Sequence, residues 1–290
     1  MNIKHELSDA CPDSRRERIL SLLEQSEGWC SGAYISDQFG ISRAAIAKHI
    51  AALRSLGHSI EAAPRRGYRL AVKNDSLSKE NMKGLLTTNT LGQKAWRYLT
   101  ETTSTNKIAA LWAVDGADEG CLVLAEHQVA GRGTKGNPWV TLPRGLQFSV
   151  VLRPSISHEI TETLVMLGTV AVAEAISRLC PLSPVIKKPN DVLVNERKVC
   201  GVLVEVGLLG GDAAWAVLGI GCNVNAQRAD FPTGLIPKAS SLLVEGGVPI
   251  SRRTLLAIIL ERIEKWYEEV QQGKADDLHA HWLRLQKKNS

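Results

Sequence analysis

Hydrophobic positions along the chain follow two different spacings. From Arg15 to Leu70 they recur every three or four residues, the period of an amphipathic helix. The stretch "RRERILSLLEQ" brings Ile19, Leu22 and Leu23 onto one face. "SGAYISDQFG" predicts a short second helix that stops at Gly40. "ISRAAIAKHIAALRSLG" predicts a third, with Ser42 as N-cap, Ile46, Ile50 and Leu53 as its apolar stripe, and Gly57 as its end. "SIEAAPRRGYRL" then predicts two short strands around Pro64 to Gly67. Short helices across a tight turn, followed by a hairpin, form the pattern of a winged helix-turn-helix domain over residues 15–72.

Residues 71–82, "AVKNDSLSKENM", are polar and read as a linker or domain edge. The pattern changes over residues 84–290. Strand-like runs appear at "AWRYLTE", "CLVLAEHQ", "LQFSVVLR", "DVLVN", "KVCGVLVEV" and "AWAVLGIGCNVN". Two long helical stretches accompany them, "ITETLVMLGTVAVAEAISRL" and "SRRTLLAIILERIEKWYEEVQQ". In the first, Gly168, Ala171 and Ala175 make a small-residue face suited to close packing on a sheet. The expected second domain is α+β with a large mixed sheet.

Composition narrows the class. A chain of 290 residues with 44% hydrophobic and 22% charged residues has the make-up of a globular protein of about two domains. We find no apolar run of transmembrane length, and "MNIKHELSDA" is too polar for a secretory signal, so the expected address is the cytoplasm, away from membranes. Six cysteines show no CxxC and no metal-finger spacing; they read as structural thiols of a reducing compartment. The net charge of +5 matters less than its placement. Residues 36–70 carry six basic residues against two acidic ones. Arg43 falls in the first turn of the third helix, a poor place for a cation unless it meets phosphate or base edges. Arg65 and Arg66 fall at the hairpin tip. Ser42, Arg43, Lys48, Arg65 and Arg66 are therefore candidate DNA contacts. The alternative is a protein-contact module with a solvated charged face.

Two segments carry candidate chemistry. "AGRGTKGNPW" combines glycines, whose backbone can approach phosphate closely, with the cations Arg132 and Lys135 and the flat ring of Trp139. In "KKPNDVLVNERKVCGVLVEV", a two-residue turn at Asn195-Glu196 would pair Val194 with Arg197 and Leu193 with Lys198. Alternation then sets Asp191 and Lys198 on one face as diagonal neighbours, roughly 7–8 Å apart. A carboxylate and an ammonium facing one cavity suit a metal-bound triphosphate and an incoming carboxylate. An ordinary cross-strand ion pair is the alternative.

"ETTSTN", "AEHQVAGRGTKGNPW", "KPNDVLVNERKVCGVLVE" and "GIGCNVN" occur in the order and spacing of biotin–protein ligases, and the chain resembles that family from residue 15 to about 285. With a winged helix in front, it looks like the bifunctional form that also represses a biotin operon. The resemblance implies a mixed-sheet ligase domain similar to class II aminoacyl-tRNA synthetases. It implies ATP, biotin and Mg2+ as ligands, and biotinyl-5′-AMP as the intermediate. It further implies a biotin carboxyl carrier protein as acceptor, operator DNA as a partner, and a homodimer when the adenylate is bound.

The resemblance also implies residue roles. Ser104, Thr105, Asn106 and Gln128 would contact the ureido ring, with Gly133 and Gly201 beside biotin. Arg132 and Lys198 would face the carboxylate and α-phosphate as catalytic cations. Asn190 and Asp191 would organise ATP and magnesium, while Lys135, Trp139 and Asn223 would lie by the nucleotide. Three departures stand out. Thr134 replaces an arginine of the family loop, and Lys188 replaces a tryptophan. The small β-barrel that usually ends the family is expected to be absent after "HWLRLQKKNS". Thr134 and the short end leave open a biotin-sensing regulator with weak or lost ligase activity.

Overall fold

The computed structural model describes residues 19, 22, 23, 26, 28–55, 60–70, 75–154, 160–209 and 212–286. The chain divides into two compact units, Met1–Asp75 and Ser76–Ser290.

In the first unit, helix α1 (Gly32–Phe39) starts at Ser31, whose side chain accepts from the Tyr34 amide, and stops at Gly40 with φ 61°. Helix α2 (Arg43–Ser55) is capped by Ser42, which accepts from the Ala45 amide. Strands β1 (Ile60–Ala63) and β2 (Gly67–Leu70) form the expected hairpin. Ile19, Leu23, Ile35, Ile46, Ile50, Leu53, Ile60 and Leu70 close a small core of their own. Ile19, Leu22 and Leu23 are helical; the remainder of the expected first helix and the Gly57 stop lie outside the described residues.

The second unit begins earlier than the sequence pattern implies. Residues 77–82 are not linker: Leu77 and Met82 are fully buried in the larger core, and helix α3 (Lys79–Met82) is capped by Ser78. Polarity misleads there because only two of the residues face inward.

A seven-stranded sheet follows in the order β3-β4-β5-β9-β8-β7-β6. Its strands are β3 (Trp96–Thr102), β4 (Leu122–Gln128), β5 (Leu146–Leu152), β6 (Val185–Lys187), β7 (Asp191–Val194), β8 (Arg197–Leu209) and β9 (Asp212–Cys222). Only β3 and β4 run parallel. One face buries Leu124, Phe148, Val150, Val202, Leu218 and Ile220 in the core, where β8 and β9 pack on helix α5 (Ile160–Leu179). A Cβ on Gly168 would lie 2.9 Å from Val202 Cγ1, so the small-residue face does let α5 approach closely.

Helices α7 (Arg252–Gln271) and α8 (Ala275–Leu285) cover α5 from outside, and α6 (Leu242–Gly246) precedes them. Contrary to the sequence reading, α5 is an apolar run long enough, by length and composition alone, to match a membrane span. Packing explains it: a helix enclosed by a sheet and two helices is apolar nearly all round. The opposite sheet face holds Val123, Val151 and Val217 under helix α4 (Thr105–Val114), a helix the sequence pattern did not reveal. Cys30, Cys121, Cys180, Cys200 and Cys222 are free. Burial, and then the adjacent Cys222, push the Cys200 thiol well above its ordinary range, so it is inert as a nucleophile.

Candidate active site

Where α4 begins, the sheet face is left open, and a cleft of about 180 Å³ lies over it. Its floor is made of glycines. A Cβ on Gly219 would sit 1.8 Å from Asn106 Oδ1, one on Gly221 2.5 Å from Trp139 Cε2, and one on Gly201 3.1 Å from Lys198 Nζ. Three side chains therefore rest on bare backbone at positions no larger residue could occupy unchanged.

One end of the cleft is polar and buried. Ser104, Thr105 and Asn106 start α4 and are at least 96% buried. The Thr105 amide donates to Gln128 Oε1 at 2.7 Å, and the Thr105 hydroxyl lies 3.2 Å from the same oxygen. Ser149 Oγ stands 2.7 Å from Asn106 Oδ1 and 2.8 Å from Thr105 Oγ1. Asn106 Oδ1 can only accept, so it takes the Ser149 hydrogen, and the chain of donors has one direction. The Ser104 hydroxyl makes no cap hydrogen bond and lines the cleft.

At the other end stands the β7–β8 hairpin. Asn195 (φ 47°) and Glu196 (φ 66°) form the expected two-residue turn, and Val194 and Leu193 pair with Arg197 and Lys198 as the sequence predicted. A bulge follows, so Val192 pairs with Cys200 and Asp191 with Gly201. The extra residue returns Gly201 to the face of Lys198 and Asp191. Lys198 Nζ then reaches Asp191 Oδ1 at 2.6 Å, and lies 5.4 Å from the centre of the Trp139 ring. Asn190 is buried, with Nδ2 donating to Val202 O.

The roof is the loop from Gly131 to Trp139. Gly133 N donates to Asn137 O and Trp139 N to Gly131 O, making a narrow ribbon. Lys135 (φ 57°) and Gly136 (φ 77°) turn at its tip. Thr134 lines the cleft; Lys135 is exposed and does not. The left-handed turn at Lys135 carries it away from the cleft. Arg132 lines the cleft and carries an ion pair there: its Nη1 lies 3.1 Å from Glu205 Oε1. Glu205 stands four positions beyond Gly201, against which Lys198 Nζ rests, roughly 13 Å along β8 at about 3.3 Å per residue.

Of the expected site residues, Ser104, Thr105, Asn106, Gln128, Arg132, Gly133, Trp139, Asn190, Asp191, Lys198 and Gly201 all line this one cleft. Asn223 does not line it, but lies buried nearby, donating to Ser240 O while its Oδ1 has no partner. Trp139 Nε1 and both amide atoms of Gln147, which pairs across the sheet with Gly221, are also buried without partners among the described residues. Sequence reasoning missed Ser149, Glu205 and Gln147; of the glycine floor it singled out Gly201. Glycines at alternate positions, 219 and 221, facing Gly201 on the next strand, were the available signal.

In the first unit, Arg43 and Arg65 line one groove with Ser31 and Tyr68. Ser42 serves as the α2 cap, Lys48 is exposed, and Arg66 stacks on Trp29 at 4.8 Å. Arg54 is bonded to Ile60 O and Arg69 to Glu61, so these two cations are engaged within the unit.

Comparison with known proteins agrees with this arrangement. Residues 97–223 match the model of the biotin/lipoate A/B protein ligase family, and residues 15–69 match a helix-turn-helix domain. The chain is 38% identical over 256 residues to the bifunctional ligase/repressor BirA of Bacillus subtilis, covering 88% of this chain and 78% of that one. It is 29% identical to the Escherichia coli protein of the same name, covering 92% and 81%. A biotin protein ligase from Aquifex aeolicus, solved with biotin and ATP, superposes with a TM-score of 0.58 at 28% identity, over 67% of this chain and 78% of that one. Helix-turn-helix unit, mixed-sheet domain and cleft together make this chain a member of the biotin/lipoate A/B protein ligase family, in its bifunctional ligase/repressor form.

Proposed function

We propose that the protein condenses biotin with ATP to biotinyl-5′-AMP, transfers the biotinyl group to a lysine of a biotin carboxyl carrier protein, and binds operator DNA to repress biotin genes. The observation that carries the reading is a cleft with two unlike ends. The buried polar end offers hydroxyls and amides to a ureido ring's two N–H donors and one carbonyl. The other end offers a lysine ammonium to a carboxylate and a phosphate.

In the first step a carboxylate oxygen of biotin attacks the α-phosphorus, and pyrophosphate leaves. Lys198 holds the carboxylate against the phosphate and stabilises the charge that builds on its oxygens. Asp191 fixes Lys198 in place. In the second step the neutral amine of the acceptor lysine attacks the acyl carbon, the mixed anhydride breaks, and AMP departs. The loop 131–139 excludes water from the anhydride meanwhile. The unpartnered Trp139 Nε1, Gln147 and Asn223 Oδ1 leave hydrogen-bonding capacity beside this end for a nucleotide.

Among the described residues no group of three or more metal-ligating side chains occurs, and Asp191 is the only carboxylate lining the cleft. This donor set fits a magnesium ion held mainly by phosphate oxygens and water, with Asp191 as its single protein carboxylate. Such an ion supplies charge neutralisation on the triphosphate. Free thiols suit the cytoplasm. A homodimer formed on adenylate binding suits a two-fold operator.

Pyrophosphate exchange into ATP that requires biotin, followed by labelling of a carrier domain, is the expected result. Exchange without any biotin requirement would overturn the ligase reading. Gel-shift affinity should rise with the adenylate and fall steeply with salt. A second reading, a biotin sensor that transfers poorly, has one observation in its favour: Thr134 lines the cleft where a cation is expected, and Lys135 does not replace it. Exchange without carrier labelling would select that reading. In either case Thr134→Arg should raise the ratio of carrier to bystander labelling.

A further inference from the structure

We infer that Glu205 is a positioning residue for the biotin end of the cleft, holding Arg132, and through it the 131–139 loop, over the bound ring system. The inference rests on the biotin reading above. Both oxygens of Glu205 are engaged, and on different parts of the site. Oε1 lies 3.1 Å from Arg132 Nη1 on the loop. Oε2 lies 3.0 Å from Asn106 Nδ2 on the floor. Asn106 is itself fixed: it is 4% exposed, bonded to Ser149, and seated on Gly219 where a Cβ has no room. The carboxylate therefore has one rigid attachment and offers its other oxygen to the roof.

The roof has a separate root one rung from Arg132, where Trp139 N bonds Gly131 O and the indole reaches across to lie on Gly221. The Arg132–Glu205 pair adds a second point of closure across the cleft. Two points define a lid's position where one leaves it free to swing.

Magnitude and place decide what this contact controls. The arginine side chain is 57% exposed and the glutamate 27%. A pair in such a setting is worth about fivefold in an equilibrium at most, and its charged hydrogen bond to Asn106 adds to that. A contact of this size changes ligand retention. Its distance from Lys198 along β8 keeps it out of the phosphoryl chemistry. Biotin release should therefore quicken when the pair is broken, with turnover at saturation nearly unchanged.

The test uses the full chain, with equilibrium binding of labelled biotin alongside steady-state pyrophosphate exchange. Glu205→Gln keeps the size of the side chain and its acceptor for Asn106 but removes the ion pair. It should raise the biotin Kd and KM by about two- to fivefold. The kcat and the ATP KM should stay within about twofold, since the reacting atoms are elsewhere. The wild-type advantage should shrink at high salt, because a half-exposed pair is screened; a merely structural role would show no such dependence. Arg132→Gln reaches the same pair from the exposed loop, and in that background Glu205→Gln should add nothing. An unchanged biotin Kd in Glu205→Gln, a fall in kcat with KM intact, or equal effects in both backgrounds would overturn the inference. Should the wild type bind biotin without exchange, the ligase reading fails, yet the same cycle on Kd still decides the role of Glu205. An absence of biotin binding would overturn both.

Discussion

The two faces of the β8–β9 ribbon are built from alternate residues of the same strands and serve opposite ends. Val202, Val204, Leu218 and Ile220 point into the core, where α5 packs so closely that Gly168 has no room for a side chain. Gly201, Gly219 and Gly221 point the other way and leave the surface bare for Asn106, Trp139 and Lys198. Burial of branched side chains on one face stabilises the strands, and that allows the other face to give up side chains altogether. A substitution should therefore affect stability or activity according to which face it touches.

The largest effect expected is on the core face. Leu218 is fully buried, and Leu218→Ala should lower the unfolding free energy by about 2–5 kcal/mol, read from urea denaturation, while activity per folded molecule is retained. On the open face, Lys198→Ala should slow biotin-dependent exchange by roughly 10²-fold or more with the urea midpoint unmoved; normal exchange would remove Lys198 from the chemistry. Gly221→Ala is the sharper probe, since its new methyl meets the Trp139 ring at 2.5 Å. The ring must shift, and a lost base-stacking contact should raise the ATP KM about tenfold with less than about 0.5 kcal/mol change in stability. A large stability loss there would mean that the open face is structural after all. The smallest effect lies off the ribbon. Lys188 Nζ sits 4.9 Å over the Trp282 ring of α8, and Lys188→Ala should cost about 0.5–1 kcal/mol, vanishing in a Trp282→Leu background.

That last contact bears on what the sequence disclosed. Lys188 stands out as a departure from a familiar motif, but only the structure supplies its partner, 94 residues away on a helix that was not foreseen. The strands were legible because branched and aromatic runs are punctuated by turn residues, and the Asn195-Glu196 turn was legible for the same reason. The bulge after Lys198 was not, because one extra residue leaves no mark on composition while changing which side chains share a face. Most of the cleft could be located from motifs; Arg132 could be located too, but not its partner Glu205, since pairing across 73 positions has no local signature. Helix α4 escaped notice because it opens with the polar residues of the site rather than with an apolar stripe.

The order of strands in the large sheet sets a schedule for making this protein. β9, placed between β5 and β8, joins the two halves of the sheet, yet it comes last of all the strands along the chain. As the chain leaves the ribosome, β5 is complete at Leu152, and its partner begins at Asp212. At about 5–20 residues per second, the edge of β5 waits roughly 3–12 seconds with its hydrogen-bonding groups unmatched. Chains arrested before Cys222 should present two open edges and self-associate, whereas release past that point lets a single strand close both.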